Sequence, residues 1–405
     1  MAIIENEETP ENPVGMSVEV EEEVLPEDMI SEENEDGSIS FFVEEEAKEE
    51  EIPFDANLAE FIDETSLGAL SSKLIGDVRG DLDSRSDWEE TYKRGLESLG
   101  IKYEDFRDFP FEGASSVTHP LLAESVTQFQ AQAYKELLPS GGPVRTQILG
   151  TTTPEVEAQA DRVSEFMNYQ ITVEMKEYDP ETDMMLFYLP LSGSAFKKVY
   201  YDRSLDRPVS KFCPAEDIIV PYGTTDIQTA QRIAQRVSMP MNELKKLQFI
   251  GFYRDVEVLA SDNGVYGSSI REQEDDLEGV HPSYSDDNLT VYELHAFIDL
   301  PDFPHRDDEG GETGIALPYI VTIDDGSGKI LSIRRNYYPE DPFTKIEYFV
   351  HYKFLPGLGF YGFGLPHMIG GLARASTSIL RQLIDAGTLA NLPGGFKQRG
   401  VQLAE

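Results

Sequence analysis

Residues 346–405 read IEYFVHYKFLPGLGFYGFGLPHMIGGLARASTSILRQLIDAGTLANLPGGFKQRGVQLAE, and three elements follow one another in this stretch. An aromatic and β-branched run, Ile346 to Phe354, has strand composition. A loop from Pro356 to Gly364 alternates glycine with rings. A helix begins near Pro366, since proline is tolerated in the first turn, where its missing N–H costs nothing. Leu365, Met368, Ile369, Leu372, Ile379, Leu380, Leu383 and Ile384 recur at helical spacing and predict a buried stripe. Gly370, Gly371, Ala373, Ala375, Ser376 and Ser378 lie between them and let another backbone approach, at roughly 1 kcal/mol of helix propensity per interior glycine. Pro393, Gly394 and Gly395 end the helix. The expected division of labour puts Leu372, Ile379 and Leu383 against the chain's own core. Gly370, Gly371, Ala375 and Ser376 are the expected subunit contact.

The same loop spells G-x-G-x-x-G at Gly357, Gly359 and Gly362, between a strand and a helix, the setting of a dinucleotide fingerprint. That chemistry needs backbone laid against a pyrophosphate and a ribose-binding carboxylate about twenty residues on, after a second strand. Phe360 and Tyr361 fill the loop instead, and Asp385 falls inside the helix. A nucleotide-binding enzyme is therefore the alternative, and a loop that bends strand into helix is the preferred reading.

The 405 residues carry 76 acids against 33 bases, a net charge of −43, with 40% hydrophobic residues. Such a chain builds a core but offers no extended phosphate-binding surface, which needs clustered Lys and Arg. No run of eighteen apolar residues suggests a membrane span, and the acidic start MAIIENEETPENP is unlike a signal peptide. A lone Cys213 suits a reducing compartment and reads as a small strand residue before Pro214, not as a nucleophile.

Residues 1–52 hold twenty Asp and Glu against Lys48, so this segment contributes −19. A disordered acidic arm is expected, with Ile39, Phe41, Phe42 and Val43 as its only short docking candidate. Residues 53–195 read as mainly helical. Asn57 caps a helix over Leu58, Phe61, Ile62 and Leu67, and Ser86 with Glu89 forms a capping box ahead of Trp88, Tyr92, Leu96 and Leu99. Leu121–Leu138 is a helix rich in alanine and amides, followed by a strand carrying Val144, Ile148 and Leu149. Thr153-Pro154 starts another helix with Val156, Ala160, Val163, Phe166, Met167, Gln170 and Ile171 turned inward. A short helix is expected at Glu181–Tyr188. Ser115, Ser116 and His119 invite a hydrolase reading, but no orienting acid or nucleophile elbow accompanies them.

Residues 196–354 alternate as strands at Phe196–Asp202, Val209–Cys213, Asp217–Val220, Arg232–Val237, Leu289–Leu300, Tyr319–Asp324, Lys329–Tyr337 and Ile346–Phe354. A short helix is expected at Met241–Phe249 and an exposed acidic loop at 261–288. No helix separates each pair of strands, so the sheet is antiparallel and the fold class is α+β: a helical N-terminal region, an antiparallel β region and a long C-terminal helix. Asp299, Asp302, His305, Asp307, Asp308 and Glu309 match no cation-loop spacing and read as a solvated hairpin tip. No metal or cofactor site is expected.

Three blocks together carry a resemblance. They are GFYGFGLPHMIGGLARASTSILRQLIDAGTLANLPGGF, YEDFRDFPFEGASSVTHPLLAESVTQFQAQAYKELLPSGGPVRTQILG and the hairpin block LPLSGSAFKKVYYDRSLDRPVSKFCPAEDIIVPYGTTDIQTAQRIAQRVSMPMNELKKLQ. In this order they resemble the portal proteins of tailed bacteriophages, in particular the large portal subunits of short-tailed phages. The resemblance implies a non-enzymatic virion protein assembled in the host cytoplasm, about twelve copies of which form a ring at one capsid vertex. Double-stranded DNA would pass through that ring during packaging and ejection. The terminase large subunit, capsid and tail adaptor proteins would be its partners, and another virion structural or adaptor protein is the alternative. Residues 53–354 would then form the wing. Residues 355–405 would lead towards a stem and clip beyond Glu405, with Lys397 and Arg399 as the only candidates for touching DNA.

Overall fold

Asn57 is the residue on which the helical and β parts of the chain first meet. Its Oδ1 accepts from the backbone N–H of Ala59 at 3.2 Å, capping a short 3-10 turn at Leu58–Glu60. The same oxygen accepts from Ile333 N at 2.9 Å, while Nδ2 donates to Leu331 O at 3.2 Å. One side chain thus caps a turn and satisfies an edge strand that would otherwise present open backbone. These contacts belong to a computed structural model that describes residues 29–33, 39–43, 52–100, 114–203, 205–258, 269–280, 288–307 and 310–391.

The chain divides into two units, Met1–Pro53 and Phe54–Glu405. In the first, β1 (Met29–Glu33) and β2 (Ile39–Val43) form an antiparallel hairpin with Met29 opposite Val43. The acidic arm was expected to lack such pairing. Its apolar spot Ile39, Phe41, Phe42 and Val43 supplies the β-branched and aromatic composition of β2. The remainder of 1–52 lies outside the described residues.

The second unit begins with α1 (Glu64–Ser84), capped by Asp63, and α2 (Ser86–Glu97). Ser86 is the first residue of α2 and not its cap, because Arg85 takes the boundary position. Then come α3 (Leu121–Leu137), α4 (Pro154–Tyr169) and α5 (Tyr178–Ser192). Thr153 caps α4 with Pro154 in its first turn, as the sequence indicates, and a π-helical turn at Gln170–Glu174 continues it. Residues 144–149 form no strand; Leu149 is exposed, and Val144 is held by Asn168 and Ser164 of α4. The α5 helix is longer than expected because Pro180 falls in its first turn, where a missing N–H is tolerated.

All β pairing is antiparallel, but it makes two sheets in this unit instead of one. The first contains β3 (Ser194–Asp202), β4 (Arg207–Pro214) and β10 (Phe349–Lys353), ordered β10-β3-β4. The second runs β5 (Ile218–Ile219), β6 (Arg232–Pro240), β7 (Asn288–Ile298), β8 (Leu317–Asp324), β9 (Ile330–Arg335). Leu294, Val321 and Ile323 on its inner strands are buried, as are Leu331 and Ile333 on β9. Arg232 on β6 bridges to α1 through Asp77 and Asp81, each at 2.7 Å. Helix α6 (Met241–Phe249) matches expectation.

Within the expected acidic loop, α7 (Ser269–Glu278) is a helix. Ile270 is fully buried in a cluster with Tyr92, Leu96 and Leu122, and Leu277 packs against it, so a segment whose composition reads as solvated has an apolar anchor. The last described element is α8 (Leu365–Asn391), within a residue of its expected limits.

Candidate functional site

The glycine loop 355–364 and α8 are the parts of the chain with unusual geometry, and they join at Gly364. A Cβ on Gly362 would stand 2.5 Å from Gly193 O and 2.8 Å from Leu355 O. One on Gly364 would stand 2.5 Å from Leu191 O. Gly193, at φ +84°, ends α5 and has Gly362 against it in turn. These glycines let two backbones touch, and the chain itself occupies the space that a pyrophosphate would need. Gly362 N donates to Ser194 Oγ at 3.0 Å, and Phe196 stacks on both Phe360 and His351. Within that stack, burial pushes the His351 imidazole down to about 4, so it is neutral near pH 7.

Arg85 locks the loop to the rest of the fold. It is 5% exposed and donates to Ala215 O, Glu216 O and Ile218 O, to Tyr361 Oη at 2.9 Å and to Glu89 Oε1 at 2.9 Å. Tyr361 donates onward to Ile218 O and stacks on Trp88 with ring centres 4.4 Å apart. Nothing in the polar run around Arg85 signals this role, because its acceptors are carbonyls that only folding brings together. Beside it lies a cleft of about 400 Å³ whose lining includes Trp88, Tyr222, Phe363 and His367. The guanidinium is already committed to these acceptors, and the wall mixes rings with Asp87, Thr91 and Thr224.

Along α8 one half of the expected division of faces fails. Leu372, Ile379 and Leu383, expected in the core, are 62–70% exposed. Ala373 and Gly370 are the buried positions, facing the chain's own helices α2, α3 and α5. The segment 115–119 lies along a further part of the helix. Ser115 N donates to Asp385 Oδ1 at 2.7 Å, His119 N to Thr377 Oγ1 at 3.0 Å, and Arg381 Nε to Val117 O at 2.7 Å. Of the four residues proposed for a subunit contact, Gly370 is buried, Ser376 half-buried, and Gly371 and Ala375 exposed. No atom outside the helix's own turns lies within 4 Å of a Cβ on Gly371.

The α4 stripe is likewise turned outward. None of its residues is buried, and Val163, Phe166 and Met167 are 42–58% exposed.

The remaining sequence candidates have structural roles. Ser115 Oγ accepts from Val117 N and the loop is stitched to α8, which leaves no Ser–His dyad in place. Cys213 is buried, and burial pushes its thiol up to about 12, out of reach of nucleophilic chemistry. Asp307 accepts from Gly311 N and His305 contacts Thr313 Oγ1 at 2.8 Å, which closes the hairpin tip on itself. Among the described residues no three His, Cys, Asp or Glu side chains converge as metal ligands, and no helix is long and apolar enough to cross a membrane. Lys397 and Arg399 lie outside the described residues.

A family model described as phage SU10 portal protein matches residues 193–402, a span that runs from the Gly193 turn through both sheets, the glycine loop and α8. No curated protein matches the chain in sequence.

Proposed function

The chain belongs to the phage SU10 portal protein family, whose model covers residues 193–402 of its 405. From that premise we propose that it is a subunit of the ring that conducts the genome into the capsid during packaging and out of it at ejection, and that connects head to tail. The family is a structural one of phage virions, placed at the capsid vertex and assembled as a ring with the capsid. The observation that carries the finer reading is the match itself, which spans both sheets, the glycine loop and α8. The charge of −43 supports it: each phosphate contact would add affinity that a moving duplex must break. About twelve copies, host-cytoplasmic assembly, and the terminase large subunit and tail adaptor as partners belong to the same proposal. So do Lys397 and Arg399 as the residues that meet DNA.

The proposed subunit contact includes Gly371 and Ala375 on the exposed side of α8. Negative-stain microscopy of the chain is expected to show closed rings. Gly371→Leu is expected to keep its circular dichroism and melting temperature, because the added side chain meets open space. It should lose rings, because overpacking of about 1–3 kcal/mol recurs at every copy. Absence of rings at any protein concentration would overturn the ring reading. Normal rings from Gly371→Leu would remove Gly371 from the interface.

A further inference from the structure

A ring of more than two copies needs two different surfaces on each copy, since a patch that pairs with itself closes at two. The described residues contain two helices whose apolar stripes are uncovered, and they are chemically unlike. On α8, Leu372, Ile379 and Leu383 face solvent, and Asp385 is the only acid among residues 365–391, beside Arg374 and Arg381. Residues 365–384 are thus free of acids in a chain with 76 of them. On α4, Val163, Phe166 and Met167 form the stripe, flanked by Glu155, Glu157, Asp161 and Glu165 against Arg162 alone.

Their surroundings agree. Helix α8 lies on α2, α3 and α5, whereas α4 has its own π-helical continuation as its main helical neighbour and is tied down on one side through Asn168 and Ser164. Those two residues occupy the side of α4 away from Val163 and Phe166, so its apolar stripe is left uncovered. Exposed stripes of this kind mark interaction surfaces, and the sign of charge around each selects the other as partner over a copy of itself.

We propose that the α4 stripe of one copy docks on the α8 stripe of the next, an apolar seam with an acidic rim on one side and a weakly basic rim on the other. The occupant of each face is a second copy of this chain, and the contact is head to tail. This rests on the ring reading above and adds to it which surfaces meet.

The test uses two double variants of the chain, Val163→Glu with Phe166→Glu on α4, and Leu372→Glu with Ile379→Glu on α8. All four positions are exposed, so circular dichroism should match the parent; where α4 loses helicity, Val163→Ser with Phe166→Ser replaces the first pair. In sedimentation velocity, each double variant alone is expected to stay monomeric under conditions in which the parent forms rings. Mixed in equal amounts they should give discrete pairs and nothing larger, because one α8 and one α4 remain intact between them while the other seam carries glutamates on both sides. The proposal is overturned if either variant alone forms rings, if the mixture stays monomeric, or if the mixture forms rings. A parent that never forms rings removes the ring reading, and this inference with it, whereas rings from the variants remove this inference alone.

Discussion

Glu274 on α7 is 8% exposed and accepts the Tyr92 hydroxyl at 3.2 Å, with Arg271 3.8 Å from its other oxygen. Burial drives its carboxyl up from 4.5 to about 7, with Asp217 and Glu278 adding to the rise against Arg271. Glu216 is 1% exposed and is also held far above the usual carboxylate range, first by burial and then by Glu274. An acid raised in this way stabilises the fold fully below pH 4.5 and loses that contribution as pH climbs through about 7. Glu274→Gln keeps an acceptor for Tyr92 and removes the titration. Thermal melting should therefore show the variant more stable than the parent at pH 8, by an amount on the order of 3 kcal/mol, with the difference shrinking towards pH 4.5. A parent whose stability did not fall between those limits more steeply than the variant's would contradict this account. Glu293 has the opposite sign. Burial pushes it up, but the His295 hydrogen bond at 2.7 Å and the Lys198 ammonium at 2.6 Å outweigh burial and hold it at about 2. Burial keeps His295 itself down, so its neutral ring donates through Nε2 and Lys198 supplies the positive charge. The Glu293 contribution is present above pH 4.5 and is lost as pH falls towards 2.

At the scale of elements, the contact between the α5 terminus and the glycine loop decides how α8 leaves the sheets. Two glycines in the same loop provide an internal comparison. Gly362→Ala would force its Cβ against Gly193 O and Leu355 O, both backbone atoms that cannot rotate away. Gly359→Ala meets nothing within 4 Å. Chemical denaturation should show a loss of about 1–3 kcal/mol or more for Gly362→Ala and less than about 0.5 kcal/mol for Gly359→Ala. Equal effects would mean that the close approach does not bear on stability.

For the whole molecule, charge sets the conditions under which copies can associate. Copies carrying −43 each repel one another while their apolar stripes attract. The Debye length falls from about 10 Å at 0.1 M salt to about 3 Å at 1 M, so added salt screens the repulsion and leaves apolar burial intact. The fraction of chain in rings is expected to rise between 0.05 and 0.5 M sodium chloride, roughly the range over which this screening develops. Light scattering or sedimentation would follow it, and a fall in assembly with salt would place the interface energy in ion pairs instead of the apolar seam.

The sequence by itself determined the features that depend on neighbours in the chain. Thr153-Pro154 starts α4, Met241–Phe249 is α6, Leu365–Asn391 begins and ends near its proline and glycine signals, and strand pairs joined by short turns are antiparallel. Turn and cap chemistry acts over a few residues, so it can be read locally. The loop glycines read as a bend from strand to helix, and the close approach of Gly362 and Gly364 to Gly193 and Leu191 was not legible. Only the tertiary structure decided which side of α4 and α8 faces out, that β10 pairs with β3 with Phe349 opposite Lys198, and that Ile270 draws α7 into the fold. Periodicity shows that a helix has an apolar face without saying what covers it. In a subunit built to meet another copy, a stripe of leucines is compatible with the core and with the neighbour alike, and the choice is made by which surfaces distant segments such as 115–119 have already taken.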